Sequence, residues 1–305
     1  MRQPLIVIAG PTGSGKTELA LRLARAVDGE VVNYDSVQIY RGFDLGSAKP
    51  SREQRALVPH HLFDIADATD EFNAADYGRL AREVCAGIDA RGKRAILAGG
   101  TFFYLRALLN GLPEMPGRDE ALRARIRAIA AKPRGAMRLH RWLSKIDPRS
   151  GRKIALADRH RVERALEVWI RSGRPISSWE PEESNEWPAL KLGLTIDRQR
   201  LGTILDARVE AMFRGGLIEE TRALLERFPV TARPFGTIGY KEAAAVVRGE
   251  MNESEAIAET RRRTRAYAKR QRTWLRTERN VQWLDASDPD QTFEAALQLI
   301  KGITA

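Results

Sequence analysis

Residues 10–17 have the types and spacing needed to hold a phosphate. They are, in order, Gly10, Pro11, Thr12, Gly13, Ser14, Gly15, Lys16 and Thr17. This order fits the phosphate-loop pattern G-x-x-x-x-G-K-[ST] at every constrained position. In such a loop, backbone N–H groups and a helix N-terminus face the anion, the lysine adds a full charge, and the last hydroxyl is a ligand for Mg²⁺. An apolar run at 5–9 precedes the loop and a helical pattern at 18–27 follows it, so the sequence predicts a phosphate site at a strand-to-helix turn.

Two more polar residues are expected beside this loop. Asp35 follows a strand pattern at 30–34, and Thr101 ends the turn Gly-Gly-Thr after a strand pattern at 94–98. Ligands of open α/β sheets bind at the carboxyl ends of the strands, so both side chains are expected to face one crevice. A carboxylate there suits a general base. The spacing alone leaves Thr101 equally consistent with a helix N-cap and with an active-site residue.

The remaining periodicity predicts an α/β fold, a P-loop NTPase-like parallel sheet flanked by helices. Strands are predicted at 5–9, 30–34, 61–65, 94–98, 190–196 and 281–284. Helices are predicted at 18–27, 72–91, 102–110, 119–131, 134–146, 159–171, 198–213, 218–227, 240–248 and 293–301. Segment 37–50 shows no clean period and is interpreted as a functional loop over the site.

A basic segment interrupts this pattern. The chain has 305 residues and a net charge of +11, and residues 114–174 alone hold 17 Lys and Arg against 7 Asp and Glu. The segment has helical patterns and no convincing strand. We therefore predict an all-helical basic insert at 114–189 within a catalytic core formed by 1–113 and 190–305, with the acidic stretch 179–187 leading back to the core. Such an excess of positive charge indicates a polyanionic partner.

A second basic run lies at 261–276, where eight Lys and Arg occur without an acidic residue. At helical spacing, Tyr267, Gln271 and Trp274 fall on one face and several arginines on another. Charges of one sign on one helix repel each other, so the run is interpreted as uncompensated and directed at an anion. That anion is either an RNA backbone or the phosphates held in the crevice.

Composition also excludes several classes of protein. The single cysteine, Cys85, rules out an internal disulfide framework, and its place in a helical pattern predicts a buried, unreactive thiol. No apolar run approaches the roughly 18 residues of a membrane span. The phosphate loop begins at residue 10, which leaves no room for a signal or transit peptide before it. These features predict a cytoplasmic protein.

The phosphate loop alone does not determine which reaction the protein catalyses. Nucleotide hydrolysis or phosphoryl transfer is the default expectation. However, the strand at 94–98 ends without the acid that holds Mg²⁺ in such enzymes, and no Asn-Lys-x-Asp guanine motif occurs. A bound diphosphate can instead be a leaving group, with Asp35 as general base. A nucleoside or nucleotide kinase and an RNA-binding NTPase remain as alternatives.

Several motifs together resemble one family. Besides the phosphate loop they are Asp35-Ser36-x-Gln38-x-Tyr40, Gly46-x-Ala48-Lys49-Pro50, His60-His61-Leu62, Gly99-Gly100-Thr101-x-x-Tyr104, Gly239-Tyr240 and Lys269-Arg270-Gln271-x-x-Trp274. In this combination and order, the sequence resembles the tRNA dimethylallyltransferase (isopentenyl-tRNA transferase) family from residue 5 to about 285. The resemblance implies transfer of a dimethylallyl group from dimethylallyl diphosphate to N6 of the adenosine just 3′ of the tRNA anticodon, by a monomer. Prenylation of a free adenosine nucleotide is the alternative within this chemistry, and the basic segment 114–174 argues against it.

The resemblance also implies roles for individual residues. Asp35 is the general base, Thr101 hydrogen-bonds near the reacting centre, and Lys16 is catalytic at the diphosphate. The diphosphate is held by residues 10–17, with Mg²⁺ bound through Thr17. Contacts with the tRNA anticodon stem-loop are implied for Asp35, Ser36, Val37, Gln38, Thr101, Arg123, His160, Arg161, Val162, Glu163 and Arg164.

One position departs from the family pattern. Several family members carry an arginine or glutamine three residues before the Gly-Tyr pair, where it meets the diphosphate, and this chain has Gly236 there. Either another cation takes the role, from Lys241 or the run at 261–276, or diphosphate affinity is reduced. The sequence does not choose between these.

Overall fold

The computed structural model of the chain describes residues 2–179 and 187–303. These residues form two compact units, Met1–Leu109 with Glu186–Ala305, and Asn110–Asn185. The predicted returning stretch at 179–187 lies outside the described residues except for its two ends, Trp179 and Trp187.

The first unit, the core unit, contains a six-stranded parallel sheet in the order β3-β2-β4-β1-β5-β6. Its strands are β1 (Leu5–Ala9), β2 (Gly29–Asn33), β3 (His60–His61), β4 (Arg94–Ala98), β5 (Ala189–Thr195) and β6 (Val281–Asp285). All residues of β1 and β2 are buried, as expected for central strands with helices on both faces. The strand order changes direction between β1 and β4, which places the ends of β1, β2 and β4 at one crevice.

Helices surround this sheet and build the second unit. In chain order they are α1 (Lys16–Ala26), α2 (Arg52–Ala56), α3 (Ala74–Ala90), α4 (Phe102–Asn110), α5 (Glu120–Ala130), α6 (Gly135–Ile146), α7 (Pro148–Lys153), α8 (Arg159–Ser172), α9 (Arg198–Arg214), α10 (Leu217–Arg227), α11 (Tyr240–Val247), α12 (Glu253–Leu275) and α13 (Pro289–Gly302). The predicted α/β fold class is confirmed.

The third predicted strand is shorter than expected. We predicted residues 61–65, whereas β3 contains only His60 and His61. Leu62 and Asp64 both have positive φ angles, 62° and 53°, which an extended strand does not allow. The chain therefore turns away from the sheet directly after His61.

The second unit, the helical unit, is built from α5 to α8 and a short 3₁₀ turn at Ile176–Ser178. In the part of it that the structure describes, no strand occurs. Ile126, Leu139, Leu143, Val162 and Leu166 form its buried core. The unit thus has a hydrophobic core of its own, as a compact domain requires.

Two further expectations concern Cys85 and membrane spans. Cys85 is fully buried, as predicted, and burial raises the pKa of its thiol to about 12, which disfavours the reactive thiolate. Among residues 2–179 and 187–303, none of the helices combines the length and the apolar character needed to cross a bilayer.

Candidate active site

The phosphate loop joins β1 to α1, as the pattern predicted. Gly13 and Gly15 have φ angles of 82° and 83°, a left-handed conformation in which glycine is favoured. The hydroxyl of Ser14 is buried and has no hydrogen-bond partner in the described part of the chain. A buried donor of this kind is stabilised by an acceptor, which a phosphate oxygen supplies.

Lys16 begins α1 and its ammonium folds over the loop. Its Nζ donates to the carbonyl oxygens of Gly10 at 2.9 Å and Pro11 at 2.8 Å. Burial and the nearby Arg208 cation lower the pKa of Lys16 to about 7, while Asp35 acts in the opposite direction. A bound anion would favour the charged form of Lys16.

Asp35 follows β2 and lies in the crevice beside the loop. Its Oδ1 accepts a hydrogen bond from the backbone N–H of Val37 at 2.9 Å, and its own N–H donates to Asn33 Oδ1 at 2.8 Å. Burial raises the pKa of the Asp35 carboxyl, against the opposing effects of backbone N–H groups, Lys16 and Arg208. A carboxylate with a raised pKa and a fixed orientation is suited to accept a proton.

Thr101 connects the turn after β4 to the residue next to Asp35. Its Oγ1 accepts from the Ser36 N–H at 3.0 Å and donates to Ser36 Oγ at 3.1 Å. Thr101 is not among the described residues that line the cavities beside Asp35, whereas Ser36 is. This geometry favours a positioning role through Ser36 over direct contact with a ligand.

The segment predicted as a loop over the site is held in place by side chains. Gln38 Nε2 donates to the carbonyl oxygens of Ser47 at 3.0 Å and Ala48 at 3.2 Å. Lys49 is buried and its Nζ binds Asp64 at 2.7 Å and the carbonyl oxygen of Tyr40 at 2.9 Å. The motif residues of this segment therefore stabilise one wall of the site.

Two cavities meet at Asp35. The first, of about 380 Å³, extends to Phe63 and is lined by five of the eight residues of the phosphate loop: Thr12, Gly13, Gly15, Lys16 and Thr17. The second, of about 340 Å³, is lined by Ser36 and Val37 and, on its other side, by residues of α9, α12 and segment 236–238. Asp35, Thr12, Arg208 and Tyr267 line both cavities. Ligands bound in the two cavities would meet at the Asp35 carboxylate.

Arg208 on α9 is a site residue that our sequence reasoning missed. It lines both cavities and forms no ion pair or hydrogen bond with any described residue. Burial lowers the pKa of its guanidinium, while Asp35 raises it.

Gly236 lines the second cavity, and no described atom lies within 4 Å of a Cβ built on it. Lys241, which we had considered for this role, is exposed and lines neither cavity.

The positive charge of the basic run at 261–276 is partly neutralised by acidic residues, contrary to our prediction. Four of its arginines pair with acidic residues: Arg261 with Glu210, Arg262 with Glu259, Arg263 with Glu242, and Arg265 with Asp206. Most of these acids belong to α9 and α11, which pack against α12. The prediction was wrong for this half of the run. Lys269, Arg270, Arg272 and Arg276 form no ion pair with a described residue.

The predicted tRNA contacts in the helical unit fall into two groups. His160 and Arg161 are exposed at the start of α8, whereas Val162 and Glu163 are buried, 4% and 8% exposed. The side chains of Val162 and Glu163 therefore support the helix and do not face solvent. Many other basic residues of the unit are exposed without an ion pair to a described residue: Arg125, Arg138, Arg141, Lys145, Arg149, Arg152, Lys153 and Arg159.

Arg123 and Arg164 converge on one buried carboxylate. Glu167 binds Arg123 Nη2 at 2.8 Å and Arg164 Nη1 at 2.6 Å, and its side chain is fully buried. Burial by itself would raise the pKa of Glu167, but hydrogen bonds from Arg123, the Asp119 N–H and Arg164 outweigh it and lower the pKa to about 2. These two arginines thus have a structural partner, and tRNA contact by them stays a prediction.

Replacing this carboxylate is expected to destabilise the helical unit. Glu167→Gln should cost about 3 kcal/mol of unfolding free energy, because it leaves two arginines beside an uncharged group. Glu167 has a depressed pKa in the folded state, so its contribution is present above the pKa of about 4.3 of an unfolded chain and is lost as pH falls towards 2. Urea unfolding at pH 7 and pH 3 measures both effects. The exposed Glu114→Gln is the control; equal stability of the two variants at pH 7 would contradict the assignment.

The site also fits a magnesium ion bound through a ligand. In the described part of the chain, no three His, Cys, Asp or Glu residues are arranged to hold a metal by themselves. Thr17 is exposed at the start of α1 and lines the first cavity together with Lys16 and Asp35. Mg²⁺ commonly takes one or two protein oxygens and completes its shell with phosphate oxygens and water. A threonine hydroxyl beside a phosphate site fits this pattern.

Comparison with known proteins identifies the family. A family model described as IPP transferase matches residues 38–278. The chain belongs to the IPP transferase family. It is 47% identical over 302 residues to a tRNA dimethylallyltransferase of Solibacter usitatus, covering 97% of this chain and 98% of that protein. A tRNA dimethylallyltransferase of Geobacter sulfurreducens is 44% identical over 285 residues, 92% of this chain and 91% of the relative.

Solved structures agree with this assignment to the IPP transferases. The full-length tRNA isopentenylpyrophosphate transferase of Bacillus halodurans has a TM-score of 0.74 and 36% identity, covering 99% of this chain and 97% of that one. A eukaryotic dimethylallyltransferase, crystallised acting on tRNA, has a TM-score of 0.78 and 27% identity, covering 95% and 75%. The family predicted from the sequence motifs is confirmed.

Proposed function

We propose that this protein transfers a dimethylallyl group from dimethylallyl diphosphate to N6 of the adenosine on the 3′ side of the tRNA anticodon, and releases diphosphate. The observation that carries the proposal is the pair of cavities that meet at Asp35, one of which is lined by residues of the phosphate loop. Membership of the IPP transferase family indicates which substrates bind in these two cavities.

The first cavity is assigned to the isoprenoid diphosphate. Lys16 and Arg208 supply positive charge, and the backbone of the loop residues that line this cavity supplies donors, where the leaving diphosphate gains charge. We assign to Arg208 the role that the side chain at Gly236 has in other family members, because Arg208 forms no ion pair with a described residue and interacts electrostatically with Lys16 and Asp35. We assign Mg²⁺ to Thr17, where it would neutralise part of the diphosphate charge.

The second cavity is assigned to the acceptor adenosine. Here N6 attacks the allylic carbon, the bond from this carbon to the diphosphate oxygen breaks, and Asp35 accepts the proton that N6 loses. Ser36 and Val37, which line this cavity, would contact the base, with Thr101 holding Ser36 in place. Gln38 lines the first cavity and would act on the base through the wall of the site that it stabilises. The base must leave its stack to reach this depth, which costs less in a single-stranded loop than in a duplex.

The helical unit is assigned to the anticodon stem-loop. Its exposed arginines and lysines suit phosphate contacts, and His160 and Arg161 are the predicted contact residues that face solvent. With tRNA as the substrate, we assign the protein to the cytoplasm and expect a monomer.

Binding of tRNA is expected to weaken steeply with salt. Each phosphate neutralised by an arginine or lysine releases counterions, so the logarithm of affinity falls linearly with the logarithm of salt concentration. For about six contacts, affinity should fall about 10³-fold between 50 and 200 mM salt. Filter binding at several salt concentrations measures the slope. A flat response would mean that the basic surface is only solvated.

Diphosphate release tests the reaction class. Purified protein with dimethylallyl diphosphate, Mg²⁺ and tRNA should release diphosphate without ATP. Release with AMP in place of tRNA, and none with tRNA, would indicate prenylation of a free nucleotide. ATP hydrolysis stimulated by RNA, without prenyl transfer, would contradict the proposal.

A further inference from the structure

Gln271 on α12 bridges the two loops that flank Asp35. Its side chain is buried, and Oε1 accepts from the Thr12 N–H in the phosphate loop at 2.8 Å. At its other end, Nε2 donates to the carbonyl oxygen of Gly100, in the turn after β4, at 3.1 Å. Only a side chain with an acceptor and a donor at this spacing makes both bonds, and glutamine has both.

Neighbouring residues on the same face of α12 hold the same turn. The Tyr267 hydroxyl, one helical turn before Gln271, donates to the Gly100 carbonyl oxygen at 2.9 Å. The Trp274 ring, three residues after Gln271, stacks on Phe102 with ring centroids 4.2 Å apart. α12 therefore contacts the turn after β4 at Gly100 and the start of α4 at Phe102. Of these α12 side chains, Gln271 is the one that also bonds the phosphate loop.

The close approach of these groups depends on Gly100. A Cβ built there would lie 2.8 Å from Gln271 Nε2 and 3.0 Å from Asp35 Oδ2. Gln271 thus lies against the backbone beside the carboxylate at one end and against the loop of Lys16 at the other. These two contacts join the phosphate loop to the turn that lies against Asp35.

We propose that Gln271 is a positioning residue, which holds the phosphate loop and the Gly100 turn in the relative placement that transfer requires. This inference rests on the proposed function. Small displacements of reacting groups cost up to about 100-fold in rate, whereas binding of each substrate in its own cavity depends less on the distance between the two. The neutral variant Gln271→Met is therefore expected to lower kcat while the KM values for both substrates stay near those of the wild type. Gln271→Glu also adds a negative charge to the lining of the first cavity, so only its kcat is compared.

The variant Gln271→Glu tests this role with little change of shape. A carboxylate still accepts from the Thr12 N–H, but it has no proton to donate to the Gly100 oxygen. We expect kcat to fall about 10- to 100-fold at neutral pH. As pH falls, the introduced carboxyl takes up a proton and donates again, so the ratio of variant to wild-type kcat should rise. Among the described residues that line the first cavity with Gln271, the charged and titratable side chains are Lys16, Glu18, Asp35, Lys49, His60, Arg208 and Tyr267.

Controls separate this role from loss of folding. Gln282→Glu makes the same change on an exposed residue of β6 and should leave kcat unchanged. Gln271→Met removes both hydrogen bonds, so its kcat should be low at every pH. A variant-to-wild-type ratio for Gln271→Glu that is flat with pH, or a loss equal to the loss of folded protein in thermal unfolding, would overturn the inference. If the wild type itself transfers no prenyl group to tRNA, the proposed function fails instead.

Discussion

Asp35→Asn is expected to reduce prenyl transfer by about 10²- to 10⁴-fold, the usual contribution of a positioned general base. The amide keeps the size of the carboxylate and an oxygen that accepts from the Val37 N–H. It has no capacity to take a proton from N6, so the chemical step is lost while the local backbone is kept. Single-turnover transfer of the dimethylallyl group to tRNA measures this effect.

Two comparisons make the Asp35 result specific. Asp290→Asn removes an exposed carboxylate on α13, 86% exposed, and should retain full activity. Binding of tRNA to Asp35→Asn should remain close to that of the wild type. A variant that loses tRNA binding as strongly as transfer would show that Asp35 is structural, and one that keeps normal transfer would exclude it as the base.

Arg208→Gln is expected to lower kcat/KM for dimethylallyl diphosphate by about 100-fold, since a single donor to a developing oxyanion contributes about this much. The guanidinium has no acidic partner in the described chain, so its removal breaks no ion pair. Thermal stability should be kept or raised, because a desolvated, unpaired cation is unfavourable in the folded state. Steady-state kinetics and thermal unfolding of the same preparation measure both effects.

The control for Arg208 is Arg222→Gln, which removes an exposed arginine of α10. It changes the net charge equally and should leave kcat/KM unchanged. Equal losses in both variants would point to general electrostatic attraction, and unchanged kinetics in Arg208→Gln would remove this residue from the diphosphate site.

Local patterns in the sequence predicted most of the fold. The strands at 5–9 and 94–98 and the helix at 102–110 have the predicted bounds, because each lies beside a turn with a clear signal. The helices Arg52–Ala56 and Pro148–Lys153 were missed, since five or six residues show no hydrophobic period. A capping box of Ser51 and Gln54 is the local signal that would have indicated the first of them.

Site residues could be predicted where a single local motif indicated them. They could not be predicted where the site depends on contacts between elements distant in the sequence. Neutralisation of the run at 261–276 depends on acids from α9 and α11, whose packing no local pattern reveals. The sequence does contain a local signal for Arg208. With Leu201, Leu205 and Met212 it follows the apolar period of α9, and a charged residue at such a position is a candidate for a ligand contact.

Mass spectrometry of nucleosides from tRNA incubated with the purified protein, dimethylallyl diphosphate and Mg²⁺ tests the central claim most directly. The account predicts one adenosine, on the 3′ side of the anticodon, carrying a dimethylallyl group on N6, with no requirement for ATP and at least about 100-fold slower product formation by Asp35→Asn. Unmodified tRNA from the wild-type reaction, or a prenyl group on another nucleoside, would contradict it.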